Sequence, residues 1–388
     1  MTRLRYAFYF SFACLLSCRK PYSPPAISAP NSYLVVEGVI NSGSDSTIIK
    51  LSKTVNLNSK VTLNPLSGAT VTVEGSQSNT WTLVGDGSGN YTSAGLSLPA
   101  GQQYRLRINT SDGGQYLSDF VAIKPNPPID SVGYTLLPDG VQLYVNTHDP
   151  ANNTHYYRWD YDETWIFHAK YQSVSWLDPA TNTMQYRPST KLVYFCFAND
   201  VSDNIILTST TKLSSDVVYQ SPLTKIPLTS EKFEAKYSIL VKQYALTPEA
   251  YAFYQNLKKN TEQLGSIFDA QPSQLAGNVH SVTHAAEPVI GYVSVSNIQS
   301  KRIFLLSTIL PKGTGAIYPY DCKEDTAFYK NKQGYNDVQN ILINPPHPYE
   351  ATTPISAPGG GIIAYKYSTP ICMDCTLRGT TQTPSFWK

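Results

Sequence analysis

Apolar and polar residues alternate along residues 33–125, with the period of two that β-strands with one buried face produce. In QYRLRIN, residues 103–109, three apolar side chains share one face and two arginines lie on the other. The other strand-like segments of this region include YLVVEGVI, STIIKLS and GATVTVEG, at residues 33–40, 46–52 and 68–75. Turn sequences such as GDGSGNY separate them. Short strands at this spacing, without a helical pattern, predict an antiparallel β-sandwich.

The proline cluster in IKPNPPIDS, residues 123–131, marks a predicted boundary because clustered prolines interrupt sheet pairing. Strand-like segments such as GVQLYVNT and KLVYFCFAN follow, and we predict a β-rich domain over residues 130–388. One helix is predicted at about 247–264, where Thr247 is a suitable N-cap, Pro248 suits the first turn and apolar residues recur at helical spacing. The predicted fold is mainly β: an Ig-like sandwich, then a larger α+β domain with one amphipathic helix against a sheet.

The first residues, MTRLRYAFYFSFACLLSC, have the build of a secretory leader, with two early arginines and an apolar stretch of about a dozen residues. Residues 15–18, LLSC, resemble the lipobox of bacterial lipoproteins. That resemblance implies cleavage after residue 17 and acylation of Cys18, which would anchor the chain to a membrane. The alternative is an ordinary cleaved signal peptide in which Cys18 has no special role. Four prolines within RKPYSPPAISAPNS make residues 18–32 a predicted extended tether.

Composition narrows the classes of function. The net charge is +2 and only 15% of residues are charged, which argues against nucleic-acid binding because that function needs a concentrated basic surface. Beyond the leader, no apolar run reaches the length of a membrane-spanning helix. The 28 tyrosines, together with many threonines and valines, favour β-structure. No cofactor is indicated.

Four cysteines remain beyond Cys18, and they are Cys196, Cys322, Cys372 and Cys375. The last two form a C-x-x-C spacing that occurs in redox centres, zinc sites and disulfide-bonded proteins. Here the spacing lies in a tail rich in Thr, Gly and Pro, without a strand–helix context or a second close ligand pair. In an exported protein we therefore predict structural disulfides that hold the tail. Three pairings are open, and the sequence does not choose among them.

The segment YYRWDYDETW, residues 156–165, combines rings with charges and is the candidate binding segment. The candidate residues are Tyr157, Arg158, Trp159, Asp160, Asp162, Glu163 and Trp165. In a binding site, rings would stack on a sugar or peptide and carboxylates would bind hydroxyls or cations. The simpler interpretation is a strand with a buried aromatic face and a solvated charged face. A glycosidase would need two carboxylates across a cleft. His280 and His284 lie in strand-like sequence, and no metal site is predicted.

Two resemblances extend these interpretations. GATVTVEG, DGSGNY and LPAGQQYRLRI together resemble the carboxypeptidase-regulatory-like sandwich, which usually serves as a spacer or docking module. The order of YLVVEGVI, YYRWDYDETW, TPEAYAFYQNLKKN, EPVIGYVSVS and CMDCTLRGTTQTPSFW resembles Bacteroidota envelope lipoproteins of unknown function, often encoded beside TonB-dependent transporters. This second resemblance covers nearly the whole chain and supplies no catalytic residues.

From the lipobox and these resemblances we expect a lipid-anchored outer-membrane protein on either the periplasmic or the extracellular face. The leading hypothesis is a non-enzymatic accessory or ligand-binding partner of a TonB-dependent transporter. The alternatives are a structural envelope protein and a glycan or peptide hydrolase. Three tripeptides resemble the O-glycosylation pattern of exported Bacteroidota proteins, and their acceptors are Ser46, Ser131 and Thr326, all expected in loops or at domain edges.

Overall fold

The computed structural model describes residues 32–55, 59–60, 63–262 and 277–388. The predicted leader, Cys18 and nearly all of the tether lie outside the described residues, as do the last two residues of the predicted helix.

The fold is mainly β, with one α-helix in the part that the structure describes. The strands are β1 (Leu34–Asn41), β2 (Thr47–Lys53), β3 (Thr70–Gly75), β4 (Thr80–Gly85), β5 (Asn90–Ser93), β6 (Gln103–Asn109), β7 (Gln115–Ser118), β8 (Val121–Ala122), β9 (Ile129–Leu137), β10 (Gly140–His148), β11 (Tyr156–His168), β12 (Ser175–Asp178), β13 (Thr183–Tyr186), β14 (Phe195–Val201), β15 (Ile206–Ser209), β16 (Val217–Pro227), β17 (Lys236–Ala245), β18 (Val279–Ser281), β19 (Ser294–Ser296), β20 (Gln299–Leu306), β21 (Asp325–Phe328), β22 (Glu350–Ser356) and β23 (Ile362–Ser368). The helix is α1 (Pro248–Glu262). Short 3-10 helices span Ser189–Lys191, Glu231–Phe233, Ser307–Ile309, Pro370–Cys372 and Cys375–Leu377, and a π-helix spans Val338–Ile343.

The first region is the predicted β-sandwich. Its strands follow the order β18-β7-β6-β3-β4-β5-β2-β1-β19, with β8 paired to β6, and β4 belongs to both layers. The alternation in β6 is as predicted, since Tyr104, Leu106 and Ile108 are completely buried. Arg105 and Arg107 lie on the other face and both bind Glu74 of β3. The apolar core and the wet face of this region are therefore confirmed.

The chain returns to the sandwich after the second region has begun. Strand β18 pairs with β7, and β19 pairs in parallel with β1. The backbone N–H of Lys124 also donates to Val295 O at 2.8 Å, which brings the end of the sandwich beside β19. The prediction placed residues 277–296 in the second domain, and this assignment needs correction. Strands of three residues are too short for their alternation to reveal which sheet they join.

The second region contains a five-stranded antiparallel sheet, in which β14-β11-β17-β20 are neighbours in that order and β15 also pairs with β11. Its inner face packs against the three-stranded sheet β16-β10-β9, and the largest buried side chains between them include Trp159, Tyr157 and Tyr237. A separate small sheet, β21-β23-β22, packs on the π-helix through Ala327, Val338 and Tyr365.

Helix α1 begins as predicted, because the backbone N–H of Ala250 donates to Thr247 Oγ1 at 3.2 Å. Its buried face, with Phe253 and Tyr254, packs with Val39 of the sandwich and Tyr244 of β17. The helix therefore joins the two regions through a common apolar cluster. Among the described residues, no helix has the length and apolarity needed to cross a membrane.

The four cysteines form two disulfides, Cys196–Cys375 and Cys322–Cys372. The C-x-x-C cysteines thus bond to two distant partners rather than to each other. One bridge ties the tail to β14, and the other closes the segment that contains the small sheet. The predicted structural role is confirmed, and the pairing that the sequence left open is resolved.

A buried amide network fastens the junction between the regions. Asn126 Nδ2 donates to Gln243 O at 2.6 Å and to Asn297 O at 2.9 Å. Gln243 Nε2 donates to Pro127 O at 2.7 Å, and Gln243 Oε1 accepts from Trp159 Nε1 at 3.0 Å. These bonds join the chain crossings at residues 126–127 and at residue 297 to the central strand β17, so the junction is held by directional contacts.

Candidate functional site

Strand β11 carries all of the predicted binding residues and separates them onto two faces. Tyr157 and Trp159 are completely buried, and Tyr161 and Trp165 are nearly so. The rings of Tyr157 and Trp159 stack with their centroids 5.6 Å apart. The prediction that these rings bind a ligand is not supported by their placement, since they belong to the core. The simpler interpretation, an aromatic inner face, is confirmed.

The buried tyrosine hydroxyl in this strand is satisfied inside the core. Tyr157 OH donates to Asp216 Oδ2 at 2.5 Å, and Thr210 Oγ1 donates to Asp216 Oδ1 at 2.6 Å. Burial raises the pKa of Tyr157, and the hydrogen bond to Asp216 raises it further. This arrangement keeps the phenol protonated and fixes the strand's inner face.

Glu163 also points inward, away from Asp160 and Asp162. Its carboxylate accepts hydrogen bonds from Tyr237 OH and from Lys232 Nζ, each at 2.5 Å. Burial, followed by the charge of Glu163, raises the pKa of Tyr237. The prediction grouped Glu163 with the other carboxylates of β11, whereas the structure makes it the centre of a buried ion pair.

The outer face of β11 forms the floor of a cleft between the two regions. The cleft has a volume of about 590 Å³ and its opposite wall is formed by β1, β2 and the turn that joins them. The charged residues that line it are Glu37, Asp45, Lys50, Arg158, Asp160, Asp162 and Lys242. The charged face that the sequence assigned to open solvent is therefore enclosed by the sandwich. Strand pattern alone could not reveal this wall, because it depends on how distant segments pack.

Arg158 is the most constrained cation of the floor. Its guanidinium lies between the rings of Tyr244 and Tyr254, at 4.4 and 4.5 Å from their centroids. Its Nη2 donates to Asp160 Oδ2 at 3.1 Å. Burial lowers the pKa of Arg158, but Tyr254 and Asp160 outweigh it and the net pKa is raised, so the side chain keeps its charge.

A second ion pair lies beside the first on the floor. Lys242 Nζ of β17 is 2.7 Å from Asp162 Oδ2, and both side chains are about one-third exposed. The strands place Asp160 directly opposite Lys242. The floor thus presents two cations and two carboxylates as two adjacent ion pairs, with each carboxylate already bound to a cation.

The remaining predicted sites are scattered. Ser46 lies exposed in the turn before β2 and lines the cleft. Ser131 lies within β9, where its hydroxyl accepts from Asn146 Nδ2 at 2.8 Å, and Thr326 lies within β21. Two of the three acceptor residues are therefore in strands rather than loops, and their glycosylation stays a prediction. Within the described residues, no group of three or more His, Cys, Asp and Glu could hold a metal ion.

Comparisons with solved structures give only distant similarity. Escherichia coli alpha-2-macroglobulin activated by porcine elastase is 11% identical with a TM-score of 0.19, over 83% of this chain and 22% of that one. A putative carbohydrate binding protein from Bacteroides uniformis is 11% identical with a TM-score of 0.15, over 56% of this chain and 91% of that one. A DUF3823 family protein from Parabacteroides merdae is 12% identical with a TM-score of 0.14, over 55% of this chain and 92% of that one. These similarities are too weak to bear on function.

No curated protein matches the sequence. A family model does match, over residues 19–302, and it covers the sandwich, the cleft and the helix. On this match the chain belongs to the family described as a domain of unknown function, DUF4249.

Proposed function

We propose that this protein is a lipid-anchored outer-membrane lipoprotein without catalytic activity, which binds a partner or ligand in its cleft as an accessory of a TonB-dependent transporter. The anchor rests on the lipobox-like residues 15–18 and the transporter on the resemblance to envelope lipoproteins. The cleft between the two regions supplies a surface for binding.

The observation that carries the binding role is the floor of the cleft. Asp160 and Asp162 are each engaged by a cation, at 3.1 and 2.7 Å. Both carboxylates hold the neighbouring cations in place. The floor therefore presents charges at fixed positions, which a ligand of complementary charge and shape can contact. The volume of about 590 Å³ is within the range of ligand-binding pockets.

Site-directed photocross-linking in intact cells tests this proposal. A photoreactive residue in place of Ser46, at the cleft, should cross-link to a β-barrel transporter that mass spectrometry identifies. The same residue in place of Ser88, exposed on the β4–β5 turn and outside the cleft lining, is the matched control and should not. Adding Cys18→Ala should abolish the Ser46 cross-link because the protein leaves the membrane.

Cross-links of equal yield from both positions would contradict a role for the cleft. Absence of a transporter from either position would contradict the accessory role and favour the structural envelope protein. An unchanged cross-link with Cys18→Ala would contradict the lipid anchor.

A further inference from the structure

One face of the sheet β14-β11-β17-β20 runs beneath both the cleft and a second, occupied surface. Cross-strand pairing places Asp162, Leu240 and Arg302 side by side on this face. Further along the same strands, the face continues to Lys236 and Phe304. The cleft covers the first part, and the last residues of the chain cover the second.

That second part already holds a peptide, the strap formed by residues 384–388, in which the Trp387 N–H donates to Pro384 O at 3.0 Å and closes a turn. The Phe386 ring lies 3.6 Å from the Arg302 guanidinium carbon. Trp387 contacts Phe304 edge-on with a centroid separation of 5.6 Å, and a backbone oxygen of Lys388 accepts from Lys236 Nζ. The strap is thus held by a cation–π contact, by ring packing and by a hydrogen bond from the Lys236 ammonium to its backbone.

The open part of the face has charges to offer but no ring surface. Tyr161 and Tyr244 line the cleft, yet only 6% and 7% of their surface is accessible, and Arg158 covers the Tyr244 ring. The floor therefore lacks the accessible ring face on which sugars commonly stack, and this favours another class of ligand. Two adjacent ion pairs of opposite order, Arg158–Asp160 and Asp162–Lys242, instead match a ligand that carries both charges.

We propose that the cleft binds a peptide segment of a protein partner, one that carries both carboxylate and cationic side chains. The segment would lie along the face that the strap already occupies beyond it. This inference rests on the proposed function because both use the same cleft, and it adds the chemical class of the bound partner.

The cleft is preformed for such a ligand. The amide network of Asn126 and Gln243 and the cluster around α1 join the two walls. A peptide therefore meets walls that are already ordered, which lowers the entropic cost of binding. Each floor pair is partly exposed, so an incoming carboxylate or ammonium can share its partners.

Calorimetric titration of the purified full chain in detergent tests the ligand class with defined probes. The probes are short peptides of equal length, one alternating Glu and Lys, one of Glu alone and one of Lys alone, and a neutral linear oligosaccharide. We expect the alternating peptide to bind at least about tenfold more tightly than the other probes, a difference of about 1.4 kcal/mol. Its affinity should fall as salt increases, since the pairs are partly exposed.

A charge-swap variant tests the arrangement of the charges, and circular dichroism checks its fold because residue 242 lies directly opposite Asp160. Asp162→Lys combined with Lys242→Asp preserves an ion pair but reverses the order of charges, and it should weaken the alternating peptide about tenfold. The matched control swaps Asp139 and Lys225, an exposed pair at 2.8 Å outside the cleft lining, and should leave affinity unchanged. Preferential binding of the oligosaccharide, equal binding of all peptides, or equal effects of the two swaps would overturn the inference.

The transporter role and the peptide ligand can each be contradicted without the other. A transporter cross-linked from Ser46 together with no peptide binding would leave the accessory role standing and remove the ligand class. Peptide binding that the charge swap weakens, without any transporter cross-link, would support the ligand class and remove the accessory role.

Discussion

The sandwich and the second region enclose different kinds of core. Among the described residues, the polar side chains buried in the sandwich are all uncharged, whereas the second region buries Glu163 and Asp216 at 3% and 1% exposure. The second region also contains both disulfides, and the sandwich contains none among the described residues. The second region therefore adds buried charged groups and covalent bridges to the apolar burial and neutral hydrogen bonds on which the sandwich depends.

This difference bears on how each region responds to change. Apolar cores tolerate substitutions that keep volume and pattern, because the hydrophobic effect has no preferred direction. A buried carboxylate has no such tolerance, since removing one partner leaves the other desolvated and unpaired. We therefore expect matched perturbations to cost more in the second region, and three experiments compare how the two regions respond.

The largest difference is expected between two carboxylates that each bind two partners. Glu163→Ala leaves Lys232 and Tyr237 without their buried acceptor and should cost about 3–5 kcal/mol. Glu74→Ala on the sandwich surface removes the partner of Arg105 and Arg107, which can turn to solvent, and should cost about 1 kcal/mol or less. Hydrogen exchange followed by mass spectrometry at β11 and at β3 measures each local free energy of opening.

Glu163→Gln serves as the control for shape, because it keeps an acceptor for Tyr237 and should recover part of the loss. Equal costs for Glu163→Ala and Glu74→Ala would contradict the distinction between the two cores.

The next largest difference between the two regions is expected when the disulfides are reduced. Each bridge typically contributes about 2–4 kcal/mol, largely by restricting the unfolded chain. Reducing agent should therefore increase exchange in β14 and in the small sheet β21-β23-β22, and leave β3 and β6 unchanged. The single variants Cys196→Ser and Cys322→Ser assign the effect to each bridge. Faster exchange throughout the sandwich would show that its stability also depends on the bridges.

The smallest expected effect is that the local stabilities of the two regions respond to pH in opposite directions. Burial raises the pKa of Glu74, but hydrogen bonds from Arg107 and Arg105 outweigh it and the net pKa lies below 4.5. Its contribution is present above pH 4.5 and is lost as the pH falls through the folded pKa. The hydrogen bond to Glu234 raises the pKa of His168 above 6.5, so that contribution is present below pH 6.5 and is lost as the pH rises through the folded pKa.

We therefore expect acid to loosen β3 and mild alkali to loosen the end of β11, each by about 1 kcal/mol or less because the groups are partly screened by solvent. Hydrogen exchange, corrected for the intrinsic pH dependence, measures both trends. Glu74→Gln and His168→Gln should each flatten one trend only, and a variant that flattens both would contradict the assignment.

The same contrast explains what the sequence could predict. The sandwich strands, the cap at Thr247 and the two faces of β11 follow from local periodicity, and the structure agrees with them. The period of two also places Glu163 on the inner face of β11, but its buried ion pair depends on Lys232, which lies 69 residues away. The disulfide pairing and the sandwich wall of the cleft likewise depend on contacts between distant segments, which periodicity does not encode.

The parallel pairing of β1 with β19 also sets an order of assembly. The outer edge of β1 finds its partners in residues 290–296, since Val36 N donates to Ile290 O and Val39 pairs with Ser294. Until synthesis has passed residue 296, the nascent sandwich presents an open strand edge, a template for pairing with other chains. The sandwich is encoded first and completed late, so most of the second region must emerge before the first can close.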